Sequence, residues 1–140
     1  MEIFSRRELD FPISKAYEAM TNPAHLAKWW GPHGFTNTFH EFDLRPGGKW
    51  RYTMHGPEKG NYENEAEFRA IAPLERVEWQ RISQPHFYMI VEFENLGSNR
   101  TGIIFMMRFT DEKLYNTIVN FAPSKNEENF DRLEEVLGAM

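Results

Sequence analysis

The sequence predicts an α+β domain: a curved antiparallel sheet wrapped around a long C-terminal helix, with two short helices after the first strand. Three observations carry this. Between residues 35 and 110, runs of alternating apolar residues are separated by Pro46-Gly47-Gly48, Gly56-Pro57-Glu58-Lys59-Gly60, Ala72-Pro73-Leu74, Gln84-Pro85 and Leu96-Gly97-Ser98-Asn99. Short polar joints of this kind link neighbouring strands of an antiparallel meander. Ahead of the meander, Pro12 and Pro23 punctuate two stretches of helical spacing. Behind it, Phe130, Leu133, Val136 and Leu137 form one apolar helical stripe, and such a stripe needs a large apolar surface to pack on.

Each element follows in order. Ile3, Phe4, Leu9 and Phe11 make a strand that Pro12 stops, and Ser14 offers an N-cap for a helix carrying Ala16, Tyr17 and Met20. Asn22-Pro23 closes that helix and opens a second, with Leu26, Trp29 and Trp30 at spacings of three and four. Strands are expected at roughly 35–45, 49–55, 61–71, 75–83, 87–96 and 101–110. In the first of these, Phe35 and Phe39 give way to Phe42 and Leu44. The slip in phase demands an extra residue, hence a β-bulge near His40-Glu41. Leu114, Ile118 and Phe121 then give helical spacing over 111–122. Pro123 interrupts, Ser124-Lys125-Asn126-Glu127 reads as a capping box that restarts a helix, and Gly138 is expected to end it.

Bulk properties narrow the function. A chain of 140 residues without repeat or linker is a single domain over 1–140. A net charge of −5 disfavours nucleic acid, which needs clustered Lys and Arg. With no cysteine, disulfides and thiolate chemistry are excluded. No signal segment is expected at the N-terminus, and no apolar run approaches the ~20 residues of a membrane span. The expected location is the cytoplasm.

The side chains show no set of reacting groups. His25, His33, His40, His55 and His86 lack the spacing of a metal site, and no metal or other cofactor is expected. Glu63, Glu65 and Glu67 alternate along one strand as a water-facing stripe, opposite Tyr62, Asn64, Ala66 and Phe68. The aromatic and methionine residues say more. Trp50, Tyr52 and Met54 share one face of their strand, as do Val77 and Trp79, then Met89, Val91 and Phe93, then Phe105, Met107 and Phe109. Together with Phe68 on its strand, Trp29 and Trp30 at the end of the second helix, and Phe130 on the last, these form either a packed core or the wall of a cavity. Flexible methionine and large amphipathic rings suit a cavity for apolar ligands. The expected lining is therefore Trp29, Trp30, Trp50, Tyr52, Met54, Phe68, Trp79, Met89, Phe105, Met107 and Phe130. Ile90, Ile104 and Met106 fall on the opposite face, where subunit contact in a homodimer would cover them.

Asn22-Pro23 with His25-Leu26, Trp29-Trp30-Gly31-Pro32, Asp43-Leu44-Arg45-Pro46-Gly47-Gly48 and Glu128-Asn129-Phe130-Asp131-Arg132-Leu133 resemble the bacterial family named after the activator of the ninety-kilodalton heat-shock protein ATPase. That family lies in the START-like, or SRPBCC, superfamily, together with Bet v 1-type ligand carriers and polyketide cyclases. The resemblance covers nearly the whole chain. It implies the helix-grip fold and a hydrophobic cavity, without implying a reaction. Three functions are in contention. The first, and favoured, is binding of a small hydrophobic or lipid-like molecule in the cavity. The second is a module that contacts a chaperone, as the family name suggests. The third is a cyclase- or hydrolase-type enzyme in which Glu41, Asp43, His33 or Arg108 handles a proton.

Overall fold

The first strand, β1 (Glu2–Leu9), turns Ile3, Ser5 and Leu9 inward and Glu2, Arg6 and Glu8 outward, with Arg7 on the inner face toward the last helix. The computed structural model describes residues 1–140. α1 (Ile13–Thr21) starts two residues earlier than the Ser14 cap implied. Pro12 occupies the N-cap position without a side-chain bond, and its carbonyl accepts from the N–H groups of Lys15 and Ala16. Proline is suited to a helix start, because its missing N–H would have no partner there. Asn22 then serves both neighbours. Its N–H bonds Glu18 O to close α1, and its side chain accepts from Ala24 N at 3.0 Å to cap α2 (Pro23–Trp29). Trp30 lies just past the end of α2.

The strands β2 (Thr36–Phe42), β3 (Lys49–His55), β4 (Asn61–Ala72), β5 (Arg76–Arg81), β6 (Tyr88–Gly97) and β7 (Arg100–Arg108) form the expected meander. β1 pairs antiparallel with β7, giving a seven-stranded sheet in the order β1-β7-β6-β5-β4-β3-β2. The register shifts between Phe39 and Glu41, so His40 is the bulged residue the phase slip called for. A second shift, between Phe68 and Ala70, gives no comparable sign in the sequence. β5 is shorter than its apolar run, because the N–H groups of Ile82 and Ser83 both turn to the carbonyl of Glu65. At the β2–β3 turn Gly48 packs so closely on the carbonyl of Asp43 that a Cβ would overlap it.

α3 (Glu112–Ile118) is capped by Asp111, which accepts from Leu114 N at 3.2 Å. The last helix, α4 (Ala122–Ala139), is 18 residues long and corrects two expectations. It does not restart at a capping box: Pro123 sits in its first turn, and Ser124 Oγ instead donates to Phe121 O at 2.9 Å. Nor does Gly138 end it, since the helix runs one residue further. α4 lies across the concave side of the sheet, with Phe130, Leu133 and Leu137 fully buried and the Phe130 ring 4.6 Å from that of Phe105. This arrangement is the helix-grip fold.

The outer face differs from expectation. Ile90 and Ile104 are only 4 % and 6 % exposed within the single chain. Beside Ile104 on that face, Arg6 stretches across the strands to Glu94 at 3.0 Å, and long side chains of this kind cover apolar surface with their stems. Of the apolar residues on this face, Phe4 stands clear into solvent. No helix is long and apolar enough to cross a membrane.

Candidate functional site

The segment after α2 builds the interior. Trp29 is fully buried, and its Nε1 donates to Ala19 O at 2.9 Å, tying α2 to α1. Trp30 turns into the sheet's concavity, with ring centroids 5.5 Å from Trp50, 5.6 Å from Trp79 and 5.8 Å from Phe105. Its Nε1 donates to the Tyr52 hydroxyl at 3.2 Å. The turn that follows is held from α4. Arg132 donates from Nη1 to the carbonyls of Trp30, Gly31 and Pro32, and from Nη2 to those of Lys28 and Phe35, at 2.8–3.3 Å. One guanidinium thereby answers carbonyls that the end of α2 would leave unpaired.

Between α4 and the sheet lies a cavity of about 180 Å³. Trp30, Tyr52, Met54, Trp79, Met89 and Met107 of the expected set line it. Trp29, Trp50, Phe68, Phe105 and Phe130 do not; they are fully buried beside it as solid core. Part of the expected lining is therefore packing. The structure adds Asn64, Arg81, Phe87, Asn126 and Asn129 to the wall. Three of these carried a signal: Arg81 continues the face of Val77 and Trp79, Phe87 that of Met89 and Val91, and Asn64 that of Phe68. Asn126 and Asn129 precede Leu133 at helical spacing, but as polar residues they do not register in an apolar stripe.

Met54, Asn64 and Arg81 also border a wider outer depression of about 690 Å³, rimmed by Pro32, Phe35, Tyr62, Glu63, Pro85 and Phe121. The exposed rings of Tyr62 and Phe121 stand at this mouth.

The polar groups of the inner wall are incompletely paired. Arg81 Nε and Asn129 Oδ1 are buried without a hydrogen-bond partner; elsewhere the same is true of Asn37 Oδ1 and Trp50 Nε1. Arg81 Nη2 donates to Gln84 O at 3.1 Å. Burial pushes the Tyr52 hydroxyl up in pKa, against the opposing charge effect of Arg81, so it stays protonated.

The residues considered for proton transfer lie elsewhere. Glu41 faces Arg51 at 3.7 Å, Asp43 binds Arg45 at 2.8 Å, and Arg108 binds Glu2 at 3.0 Å. His33 sits between Glu128 and Asp131, at 3.8 and 3.6 Å. The structure brings none of them into the inner cavity. No group of three or more His, Asp or Glu side chains is arranged to hold a metal ion.

Fold and interior together define a START-like domain of helix-grip architecture. The profile of the "Activator of Hsp90 ATPase homolog 1-like protein" family matches residues 10–138, and the chain belongs to that family. Among solved structures, one from Nitrosomonas europaea superposes with a TM-score of 0.89 at 20 % identity, covering 99 % of this chain and 95 % of that one. A protein from Arthrobacter aurescens gives 0.89 at 21 %, with coverages of 99 % and 87 %. An AHSA1 protein from Silicibacter pomeroyi gives 0.81 at 17 %, with 99 % of both chains covered. At such identities the likeness is one of fold. No curated protein matches the sequence.

Proposed function

We propose that this protein is a small-molecule binding module that takes a hydrophobic or amphipathic compound into the cavity between α4 and the sheet. The observation that supports this is an unfilled space of about 180 Å³ walled by Trp30, Tyr52, Trp79, Met89 and Met107, beside a core that is otherwise close-packed. An engineered apolar cavity of about 150 Å³ takes up benzene. The inner space therefore suits one ring or a short branched chain, and any longer tail would extend into the outer depression. Binding is favoured over catalysis because the inner wall carries Arg81, Tyr52 and amides, with no carboxylate or histidine to form an acid–base pair.

The test is uptake of toluene, followed by tryptophan fluorescence and by the melting temperature, which rises when a ligand binds only the folded state. All four tryptophans lie at or next to the space, so the fluorescence reports on it. Met107→Trp should fill the cavity, abolish the toluene response and leave the fold intact. A solid interior would instead be overpacked and lose about 1–3 kcal/mol. That loss, with no response of the parent protein to toluene, would remove the reading.

A second reading, a module that contacts a chaperone, draws on the family description. Stimulation of a purified Hsp90 ATPase by the intact protein would favour it.

A further inference from the structure

Resting on that reading of the cavity, the pairing of its polar groups points to the kind of compound it takes. We propose that the occupant is a compact ring compound bearing a carboxylate, its ring among Trp30, Trp79 and Met107 and its carboxylate on the Tyr52 hydroxyl and the Arg81 guanidinium.

Four observations converge. First, Arg81 is the one arginine with neither a carboxylate partner nor a full set of backbone acceptors. Every other arginine except Arg132 lies beside a carboxylate oxygen, and Arg132 is taken up by backbone carbonyls. Arg81 bonds one carbonyl, lies against the Tyr52 hydroxyl oxygen, stacks on Phe87, and has a buried Nε that donates to nothing. Second, the Tyr52 hydroxyl accepts from Trp30 Nε1, and its own proton is used by no hydrogen bond in the structure. Two strong donors on one cavity wall thus lack acceptors. A carboxylate supplies two acceptor oxygens and fits the edge of a guanidinium.

Third, Asn129 is only 7 % exposed, and its buried Oδ1 accepts no hydrogen bond. A buried amide left unpaired is costly, so the cavity is not built for a pure hydrocarbon. A hydroxyl elsewhere on the ring would answer it by donating to Oδ1. Fourth, Arg81 borders both the inner cavity and the outer depression. A carboxylate placed there keeps one side toward water, which limits the cost of burying its charge. The nearest negative group on the rim, Glu63, accepts from Thr53 Oγ1 at 2.8 Å and makes no ion pair with Arg81.

The test uses benzoate, benzyl alcohol and toluene, with calorimetric titration of the full-length protein near neutral pH. Benzoate should bind at least about ten-fold more tightly than benzyl alcohol or toluene, the scale of one charge-assisted hydrogen bond. Arg81→Gln and Tyr52→Phe should each remove most of the advantage of benzoate over toluene, measured within the same variant. Arg51→Gln, on the outer surface, should change nothing. If toluene binds as tightly as benzoate to the parent protein, the carboxylate proposal fails and the cavity reading stands. Benzoate binding that survives Arg81→Gln also overturns it. If none of the three compounds binds, the cavity reading fails and takes the proposal with it. Comparing ligands in the parent protein keeps the test decisive even if a variant does not fold.

Discussion

At the scale of single residues, Arg132 does the most to shape the interior. It reaches from α4 across to the turn after Trp30, and its hydrogen bonds all go to backbone carbonyls, between Lys28 and Phe35. Desolvation lowers its pKa from the ordinary arginine value, yet that value is high enough for the side chain to remain a cation. The turn it holds is also sterically tight. Gly31 has φ +100, and a Cβ there would lie 2.5 Å from Met54 Cε, at the edge of the cavity. Removing the guanidinium should therefore loosen the seat of Trp30 as well as cost hydrogen bonds. Arg132→Ala should lose about 2–3 kcal/mol, the scale of hydrogen bonds to a charged group. Arg132→Lys should recover little of it, because a compact ammonium cannot span carbonyls so far apart. Urea denaturation checks both variants, and near-complete rescue by lysine would mean that charge alone is what matters.

Among the elements, α4 shows where a sequence pattern and a structure part company. The stripe Phe130, Leu133 and Leu137 was legible from spacing alone, and it packs on the sheet as the pattern requires. The helix start was not, because Ser124-Lys125-Asn126-Glu127 is a valid cap signature that Pro123, tolerated in a first turn, makes unnecessary. What the apolar stripe also hid is the polar edge that fixes α4 against β1. Arg7 lies 2.7 Å from both Glu127 and Asp131 and 3.2 Å from Glu134, one cation facing successive turns of the helix. Its guanidinium also lies over the Phe130 ring, at 5.5 Å. Burial opposes the Arg7 charge, but its hydrogen bonds to Asp131 and Glu127 outweigh that and raise its pKa above the ordinary value. Isolated surface pairs contribute little, but a shared cation on a half-buried site contributes more. Arg7→Ala should lower stability by about 1–2 kcal/mol in dilute buffer. The difference should shrink in ~1 M NaCl, where screening acts over a few ångströms. A loss that does not change with salt would assign the effect to packing on Phe130 instead.

Across the whole molecule, the meander was readable because alternation is a strong signal wherever one face is buried and the other wet, whereas the pairing of β1 with β7 was not. The His40 bulge was readable for the same reason, since a bulge is visible as a break in alternation. Of the polar half, Arg81 and Asn64 showed only as continuations of strand faces, and Asn126 and Asn129 on α4 did not show at all; the folded topology is what brings them together. The apolar half was over-read, because period-two patterning cannot tell a ring that lines a space from one that fills it. Burial on this scale also leaves a signature in alkali. Tyr17, Tyr52 and Tyr88 all have pKa values raised from 10.0, in each case chiefly by burial. The Tyr88 hydroxyl also donates to Glu78 Oε1 at 2.7 Å, and its pKa is pushed up to about 12. A phenol that holds its proton more tightly when folded contributes stability that is fully present below the unfolded pKa. That contribution is lost as pH rises through the folded value. The protein should therefore hold a steady urea midpoint up to about pH 10 and become progressively less stable from there to about pH 12. Tyr88→Phe should flatten part of that slope, since phenylalanine keeps the ring and removes the titrating proton. Ultraviolet absorbance of tyrosinate in the folded protein should lag behind that of the unfolded chain over the same window. Tyrosines that titrate together near pH 10 in the folded protein would show that these hydroxyls are solvated, and would remove the basis of the expected slope.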